Sequence, residues 1–339
     1  MSSMINLVII GTGDIARKRH IPGILQSADA KLYGFYNRSV KKSEEAAKTY
    51  GGKVFASEEE IYADPAVDAV LISTPPVSHK ALAVKALLAG RHVLLEKPMS
   101  LTVEEAEAMK EASEKTGAKL MLLHVQRFYE PHRKAKELLE QGEIGRLLSI
   151  RTFLGNGDAD PEASVAVPGW QDVLFNVAIH RIDLIRYLVG SEVSQVFCHR
   201  SSLLGIVCPE DGQKEEDHMV GLFRFENGVM GTMISARTSY GGEDRSTVLL
   251  GTEGTITTYL DGHGLVLEKR NGERRVYDLE EGKNQKILEL TDIHEQFCRC
   301  IEEDTEPAVT AKDGVESVKI AVAMERSDRE KRWVGLEEV

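Results

Sequence analysis

Two glycines and an alanine stand close together near the start of the chain. Residues 11–16 read Gly-Thr-Gly-Asp-Ile-Ala, directly after an apolar run and at the start of a helical pattern. Gly11 permits a tight turn, Gly13 lets a pyrophosphate approach the backbone, and Ala16 keeps the helix close to the strand. The spacing favours a dinucleotide site over a glycine-rich structural turn. We expect these residues to bind the cofactor: Gly11, Thr12, Gly13, Ile15 and Ala16.

The end of the second predicted strand bears on which dinucleotide is bound. An NAD-binding strand ends in Asp or Glu, whose carboxylate takes the ribose hydroxyls, whereas this one ends in Asn37 followed by Arg38. A guanidinium and a hydroxyl can bind the 2′-phosphate of NADP. Residues 1–53 carry nine Lys or Arg against four acids, a local charge of +5 on a chain of −12. We therefore expect NADP in preference to NAD, with contacts from Asn37, Arg38, Ser39 and Lys42. The alternative is a solvated turn without such a role.

Two further polar segments follow apolar runs that resemble strands. They are Thr74-Pro75 with His79, and Glu96-Lys97-Pro98. Ligands of doubly wound folds bind at this edge of the sheet, and Pro98 favours an extended Lys97 that can project its ammonium into a cleft. The alternative is a lysine that is merely solvated at a strand end. We expect four of these residues to contact the cofactor: Thr74, Pro75, His79 and Glu96.

A polar stripe lies on the otherwise apolar segment 172–189. On a helical wheel of 100° per residue its members fall within a narrow arc. They are Asp172, Asn176, His180, Asp183 and Tyr187. Because the stripe has neither Lys nor Glu, we expect a buried helix that turns a polar seam toward a cavity. The alternative is an ordinary amphipathic helix with a short polar face.

The first 124 residues alternate short apolar runs with helical patterns. The predicted strands are 4–10, 31–37, 67–73, 92–95 and 119–124, and continuous apolar runs of this kind are typical of buried parallel strands. Two helices begin with capping boxes, at Ser57–Glu60 and Thr102–Glu105. The alternation predicts an α/β domain over residues 1–124 with a doubly wound parallel sheet.

After residue 125 the pattern changes to strands joined by tight turns. Asn227-Gly228 and Asn271-Gly272 each lie between strand-like runs, and Asn-Gly accepts the positive φ angles of a hairpin. Residues 125–339 are therefore expected to form a second domain with an antiparallel or mixed sheet. Stretches rich in Gly, Asp and Pro, 155–169 and 205–217, are expected as loops over a site.

Length and composition exclude several classes of protein. The 339 residues suggest about two domains, and 42% hydrophobic with 28% charged residues is typical of a globular protein. No apolar run reaches the roughly 18 residues of a membrane helix, and we expect no secretory signal. The four cysteines fit neither a disulfide framework nor a zinc site, so we expect a cytoplasmic protein without a metal. The net charge of −12 argues against nucleic acid as a partner.

Taken together, these motifs resemble those of the Gfo/Idh/MocA family of NAD(P)-dependent oxidoreductases. The likeness runs through nearly the whole chain. It rests on residues 11–16, His20-Ile21-Pro22, Thr74-Pro75 with His79, Glu96-Lys97-Pro98, Arg127-Phe128 with Pro131, residues 142–145, His180 with Asp183, and residues 251–254. Glu-Lys-Pro at this place, together with an H-x-x-D helix downstream, is specific for the family, although not for one substrate.

The resemblance implies a fold, a chemistry and an assembly. The first domain should be a Rossmann fold. The second domain should be α+β, with a large, open, mainly antiparallel sheet that in relatives often mediates homodimers or homotetramers. The catalytic lysine and histidine of the family match Lys97 and His180, and we group Asp183 with them. The implied reaction transfers a hydride between the nicotinamide and a sugar, polyol or related small hydroxy or carbonyl compound. Lys97 and His180 would handle the proton that must also move.

The chain departs from many sugar and polyol dehydrogenases of this family. It has Asn176 where they carry Asp, and Asn cannot relay a proton but can orient a substrate hydroxyl. We expect Asn176, Arg127 and Trp170 to contact a substrate other than the usual inositol or glucose. Two alternatives stay open: a glycosidase that uses bound NAD for transient oxidation, and a nucleotide-sensing regulator without catalysis.

Overall fold

The computed structural model describes residues 4–155, 173–205, 207, 212, 214–237, 245–259, 264–279 and 285–339, with residues 285–289 described by their backbone alone. The chain divides into two compact units, Met1–Val125 with Gly282–Glu316, and Gln126–Glu281 with Ser317–Val339. Our expected boundary lay after residue 124, whereas here a late stretch of the chain groups with the first unit. Within the described residues, no helix has the length and apolar character needed to cross a membrane.

The first unit contains a parallel six-stranded sheet in the order β3-β2-β1-β4-β5-β6. Its strands are β1 Ile5–Ile10, β2 Ala30–Tyr36, β3 Lys53–Val54, β4 Ala69–Ile72, β5 His92–Leu95 and β6 Leu120–Leu122. The strand order reverses between β1 and β4, and in doubly wound sheets ligands bind beyond the carboxyl ends of the strands at this point. The predicted Rossmann sheet is confirmed.

The helices of the first unit lie between these strands, except for α8, which comes later in the chain. They are a π-helical segment Ala16–His20 continued by α1 Ile21–Gln26, then α2 Val40–Tyr50, α3 Glu58–Ala63, α4 His79–Leu88, α5 Val103–Thr116 and α8 Gln285–Glu302. The hydroxyls of Ser57 and Thr102 accept the backbone N–H of Glu60 and Glu105, both at 3.3 Å. The capping interactions predicted from the hydroxyls are therefore present. The Glu60 carboxylate instead accepts the N–H of Ala56, one residue before the expected donor.

The second unit contains a nine-stranded sheet in the order β14-β13-β12-β11-β7-β10-β9-β8-β15. Its strands are β7 Leu147–Gly155, β8 Val193–Ser201, β9 His218–Phe225, β10 Met230–Ala236, β11 Thr247–Gly251, β12 Gly254–Thr258, β13 Leu265–Lys269, β14 Arg274–Tyr277 and β15 Val334–Gly335. All neighbours pair antiparallel except β7 with β10. The expected mainly antiparallel sheet is confirmed.

Both predicted hairpins occur in this sheet. Gly228 and Gly272 have φ angles of +85° and +88°, values that favour glycine. Asn227 Oδ1 accepts the N–H of Val229 at 3.1 Å, and Asn271 makes the matching bond to Glu273 at 3.0 Å. The helices of the unit are α6 Glu130–Glu140, α7 Ile179–Val189 and the later part of α9 Ala311–Glu330.

The two faces of this sheet differ in burial. On β9 and β10 one face carries Phe223 and Met233, which are buried. The opposite face carries Val220, Met230 and Ile234, which are 49%, 63% and 43% exposed. Alternating side chains therefore give the sheet one core face and one open apolar face.

Candidate functional site

The glycine loop follows β1 and leads directly into a helix. Gly11 has a φ of +94°, and a Cβ there would lie 2.5 Å from the Ser73 carbonyl oxygen. A Cβ on Gly13 would meet nothing within 4 Å, so the outer side of the loop is open. The first turn of a helix leaves its backbone N–H groups without intrahelical acceptors. The loop therefore fits the phosphates of a dinucleotide, as its spacing predicts.

Asn37 braces this loop from the end of β2. Its Oδ1 accepts the Thr12 N–H at 2.9 Å, and its Nδ2 donates to the Thr12 and Ser43 hydroxyls, both at 3.0 Å. The side chain of Asn37 is thus committed to the loop. Three other residues predicted to bind the cofactor are exposed beyond it: Arg38, Ser39 and Lys42. Sequence reasoning missed Ser43, a buried residue without a recognisable motif.

His79 connects the two loops that follow β4 and β5. Its Nε2 lies 2.8 Å from the Thr74 carbonyl oxygen, and its Nδ1 lies 3.0 Å from that of Pro98. The ring is fully buried. Burial lowers the pKa of His79, although the carbonyl partners oppose this effect. The ring therefore lies between the carbonyl oxygens of Thr74 and Pro98, and in its neutral form it can donate to only one of them at a time.

Glu96 and Lys97 follow β5 at the same edge of the sheet. The Glu96 carboxylate accepts from His20 Nε2 at 2.8 Å and from the Lys97 backbone N–H at 3.1 Å. Burial opposes its ionisation, but the hydrogen bond from His20 and the charges nearby hold the pKa of Glu96 below its usual range. Burial lowers the pKa of Lys97; Glu96 opposes this change and Arg19 adds to it. Lys97 therefore gives up its proton more readily than an exposed lysine does.

The polar stripe of the second unit lies on two kinds of helix. Val173–Ala178 is wound as a π-helix, and α7 continues from it. Asn176, His180 and Tyr187 are half-buried, whereas Asp183 is only 1% exposed. Asp172 lies outside the described residues. The predicted polar seam is thus present from Asn176 onward, on a largely apolar helix.

Arg127 and Asp183 form a buried ion pair within this unit. Arg127 Nε donates to Asp183 Oδ2 at 2.7 Å, and Nη2 donates to Oδ1 at 2.6 Å. Arg186 approaches the same carboxylate at 4.0 Å and is paired with Glu192 through Nε at 2.7 Å. The expected substrate residue Arg127 and the expected catalytic residue Asp183 therefore bind each other. Trp170 and residues 156–169 lie outside the described residues.

Two family models match the chain. The model of the Gfo/Idh/MocA oxidoreductase family, an NAD-binding Rossmann fold, matches residues 5–124, and that of the Gfo/Idh/MocA C-terminal domain matches residues 132–257. Myo-inositol 2-dehydrogenase of Thermotoga maritima is 28% identical over 337 residues, which cover 98% of each chain. The scyllo-inositol 2-dehydrogenase (NAD(+)) of Bacillus subtilis is 26% identical over 334 residues, 97% of this chain and 95% of that protein.

A solved structure shares both units of the fold. The crystal structure of a probable dehydrogenase from Thermotoga maritima matches with a TM-score of 0.83 at 26% identity, over 99% of this chain and 100% of that one. The resemblance found in the sequence motifs is thus confirmed by family models, full-length relatives and fold. The chain belongs to the Gfo/Idh/MocA family of oxidoreductases, and its first unit carries the family's NAD-binding Rossmann fold.

Proposed function

We propose that the chain is an NAD(P)-dependent dehydrogenase or reductase of a sugar, polyol or related small hydroxy or carbonyl compound. One observation carries this proposal: the partly buried Lys97 and the open glycine loop lie at the same edge of the sheet. The names of two full-length relatives, both inositol dehydrogenases, support it. Nothing in these relatives favours the glycosidase or the sensing regulator.

Lys97 and His180 are the groups we propose to handle the proton. Bound NAD(P) would supply the hydride donor or acceptor. Lys97 has a lowered pKa, so its neutral form is accessible at a lower pH and can accept the proton of a substrate hydroxyl. His180 is the second residue of α7, within the polar seam, and it is half-buried.

The other predicted site residues have supporting roles in this proposal. Both oxygens of Asp183 accept from Arg127, so we propose that this pair positions α7 rather than transferring a proton. Asn176 and Trp170 are proposed substrate contacts. His79 is fully buried and is proposed to hold the cofactor loops in place. Cofactor contacts are proposed for the glycine loop and for Asn37, Arg38, Ser39, Lys42, Thr74, Pro75 and Glu96.

A lysine variant tests the proposed reaction. With a panel of inositols, other polyols and keto-sugars, we expect NAD(P)-dependent turnover that Lys97→Met lowers at least about 100-fold. NADH fluorescence titration should show that this variant still binds the cofactor. Lys115→Met changes an exposed lysine of α5 and serves as the matched control. Full turnover by Lys97→Met would rule out this mechanism.

We further propose NADP as the preferred cofactor. No carboxylate follows β2, Asn37 is committed to the loop, and the exposed Arg38 can meet a 2′-phosphate. Arg38→Ala should lower the ratio of kcat/KM for NADP to that for NAD by about 10-fold or more, roughly the strength of one charge-assisted contact. Lys31→Ala, at the opposite end of β2, should leave the ratio unchanged. Wild-type enzyme that prefers NAD would contradict the proposal.

We also propose self-association and a cytoplasmic location. The open face of the second sheet exposes large apolar side chains, which suits a homodimer or homotetramer. Cys198, Cys298 and Cys300 are free and buried, which suits a reducing compartment.

A further inference from the structure

Two buried histidines stand behind Glu96. His20 ends the π-helical segment that follows the glycine loop, and His294 lies on α8; both rings are at most 1% exposed. His20 Nδ1 lies 3.2 Å from His294 Nε2, and the centroids of the two rings are 5.4 Å apart. With the contact from His20 Nε2 to Glu96, this makes a continuous chain of three titratable groups inside the first unit.

His294, the last of these three hydrogen-bonded groups, indicates which ring nitrogens carry protons. His294 Nδ1 is buried and has no hydrogen-bond partner among the described residues; it faces Gly23, where a Cβ would lie 3.2 Å away. A buried N–H without an acceptor is a costly arrangement, so this nitrogen is the unprotonated one. Burial holds the pKa of His294 well below its usual range, which agrees with a neutral ring. His294 Nε2 then donates to His20, and His20 Nε2 donates to Glu96.

Glu96 contacts Lys97 through the carboxylate oxygen that does not bind His20. One carboxylate oxygen accepts from His20 and the other from the Lys97 backbone N–H. The carboxylate can make both bonds only in one orientation, which keeps its negative charge beside the lysine. The other charged or titratable groups that act on Glu96 and Lys97 are Arg19 before α1 and His79 at the start of α4.

We propose that His20, supported by His294, is a positioning residue for the reaction. The His20 ring fixes the orientation of the Glu96 carboxylate, which accepts the backbone N–H of Lys97. In that orientation the carboxylate is also the negative neighbour of the Lys97 ammonium. This inference rests on the proposed role of Lys97. It gives a function to two buried histidines that the predicted site does not include. It also couples the helix that begins at the phosphate loop to the loop that carries Lys97.

A pH profile of substrate oxidation at saturating cofactor tests the proposal. His20→Leu removes the donor, so burial raises the pKa of Glu96 and its charge is lost. The pKa of Lys97 then falls further. The rising limb of kcat/KM, where neutral Lys97 accepts the proton, should move to lower pH by about one pH unit. Glu96→Gln should move the limb similarly, and the double variant should move it no further than Glu96→Gln alone.

Rescue and tautomer measurements separate positioning from mere stability. His20→Gln keeps an N–H donor near the Nε2 position and should restore the limb toward the wild-type pH. In wild-type protein, nitrogen-15 NMR should find the proton of both rings on Nε2. An unmoved limb in a folded His20→Leu variant, with Lys97→Met inactive, overturns this inference alone. A proton on His294 Nδ1 also overturns it. Full turnover by Lys97→Met overturns both this inference and the proposed mechanism.

Discussion

Burial decides which side chains can change charge, and His132 is a clear case. Its Nδ1 donates to the Gln126 carbonyl at 2.8 Å, and Arg181 Nη1 lies 3.5 Å from its Nε2. Tyr129 stacks on the ring at 5.9 Å. Burial, followed by the charge of Arg181, lowers the pKa of His132 to about 3. The imidazole is therefore neutral in the folded protein at neutral pH.

We expect His132 to make folding stability depend on pH. An unfolded histidine titrates near pH 6.5, whereas the folded His132 titrates near pH 3. Stability is complete above about pH 6.5 and falls toward pH 3, by up to about 1.4 kcal/mol per pH unit, because the unfolded chain binds a proton that the folded chain does not. Urea unfolding between pH 7.5 and 5 should show a flatter dependence in His132→Gln than in wild type. Equal slopes would contradict this assignment.

The residues that could be predicted are those whose role is encoded locally. Gly11, Gly13 and Lys97 stand in short motifs next to strand ends, so their place at the sheet edge could be read from the local sequence. The contact of Glu96 with His20 and that of His20 with His294 could not be predicted, because these pairs are 76 and 274 positions apart in the sequence. Asn37 was expected at the ribose, and its bonds to Thr12 show that residue type does not fix side-chain direction.

For helices and strands, the sequence predicted which elements form better than it predicted where they begin and end. Every predicted strand of the first sheet forms: β5 has the predicted bounds, β2 is shifted by one residue, and β1, β4 and β6 are shorter than predicted. The two-residue strand β3 was not predicted. Val67 is fully buried, yet its N–H donates to Asp64 in a turn before β4 begins. An apolar run indicates which residues are buried, and buried residues continue beyond the residues that pair in the strand. Likewise, the wheel of 100° per residue applies to α7 and not to the π-helical Val173–Ala178.

The ion pair between Arg127 and Asp183 ties the short 3-10 segment Val125–Phe128 to α7. Asp183→Asn removes the carboxylate that accepts two hydrogen bonds from the Arg127 guanidinium, whereas Arg186 keeps its pair with Glu192. We expect a loss of about 3 kcal/mol of unfolding free energy, measured by urea denaturation.

A surface pair provides the control for this variant. Glu137→Gln breaks an exposed pair with Lys134 on α6 and should lower the unfolding free energy far less than Asp183→Asn does. A double Arg127→Met and Asp183→Leu variant should recover part of the loss, because it leaves no buried charge of the pair unpaired. Asp183→Asn that is as stable as Glu137→Gln would show that the pair contributes little.

For the whole molecule, the open sheet face makes the sharpest prediction. Register places Val220, Ile234 and Phe153 side by side across β9, β10 and β7. Apolar patches of this kind mark interaction surfaces. We expect light scattering after size exclusion to give two or four times the mass of one chain for wild type.

A charged variant connects that mass to the face. Met230→Asp with Ile234→Asp should reduce the mass to that of one chain, because charges of one sign then enter the interface without partners. Leu88→Lys, at an exposed position of α4, should leave the mass unchanged. Wild-type protein that is monomeric at micromolar concentration would contradict the proposal. The turn pattern predicted an antiparallel or mixed sheet, and the family resemblance implied that the sheet is open. Alternation by itself does not indicate what covers the exposed face.

The order in which the ribosome delivers the chain has a consequence for the first unit. Its residues 1–125 emerge early, but the stretch that completes it, from residue 282, follows about 160 residues later. At translation rates of about 5–20 residues per second, that is a wait of about ten to thirty seconds. During this time His20 has no His294, and α1 lacks α8. We expect nascent chains to need shielding, since the first unit can mature only after residues 282–316 have emerged.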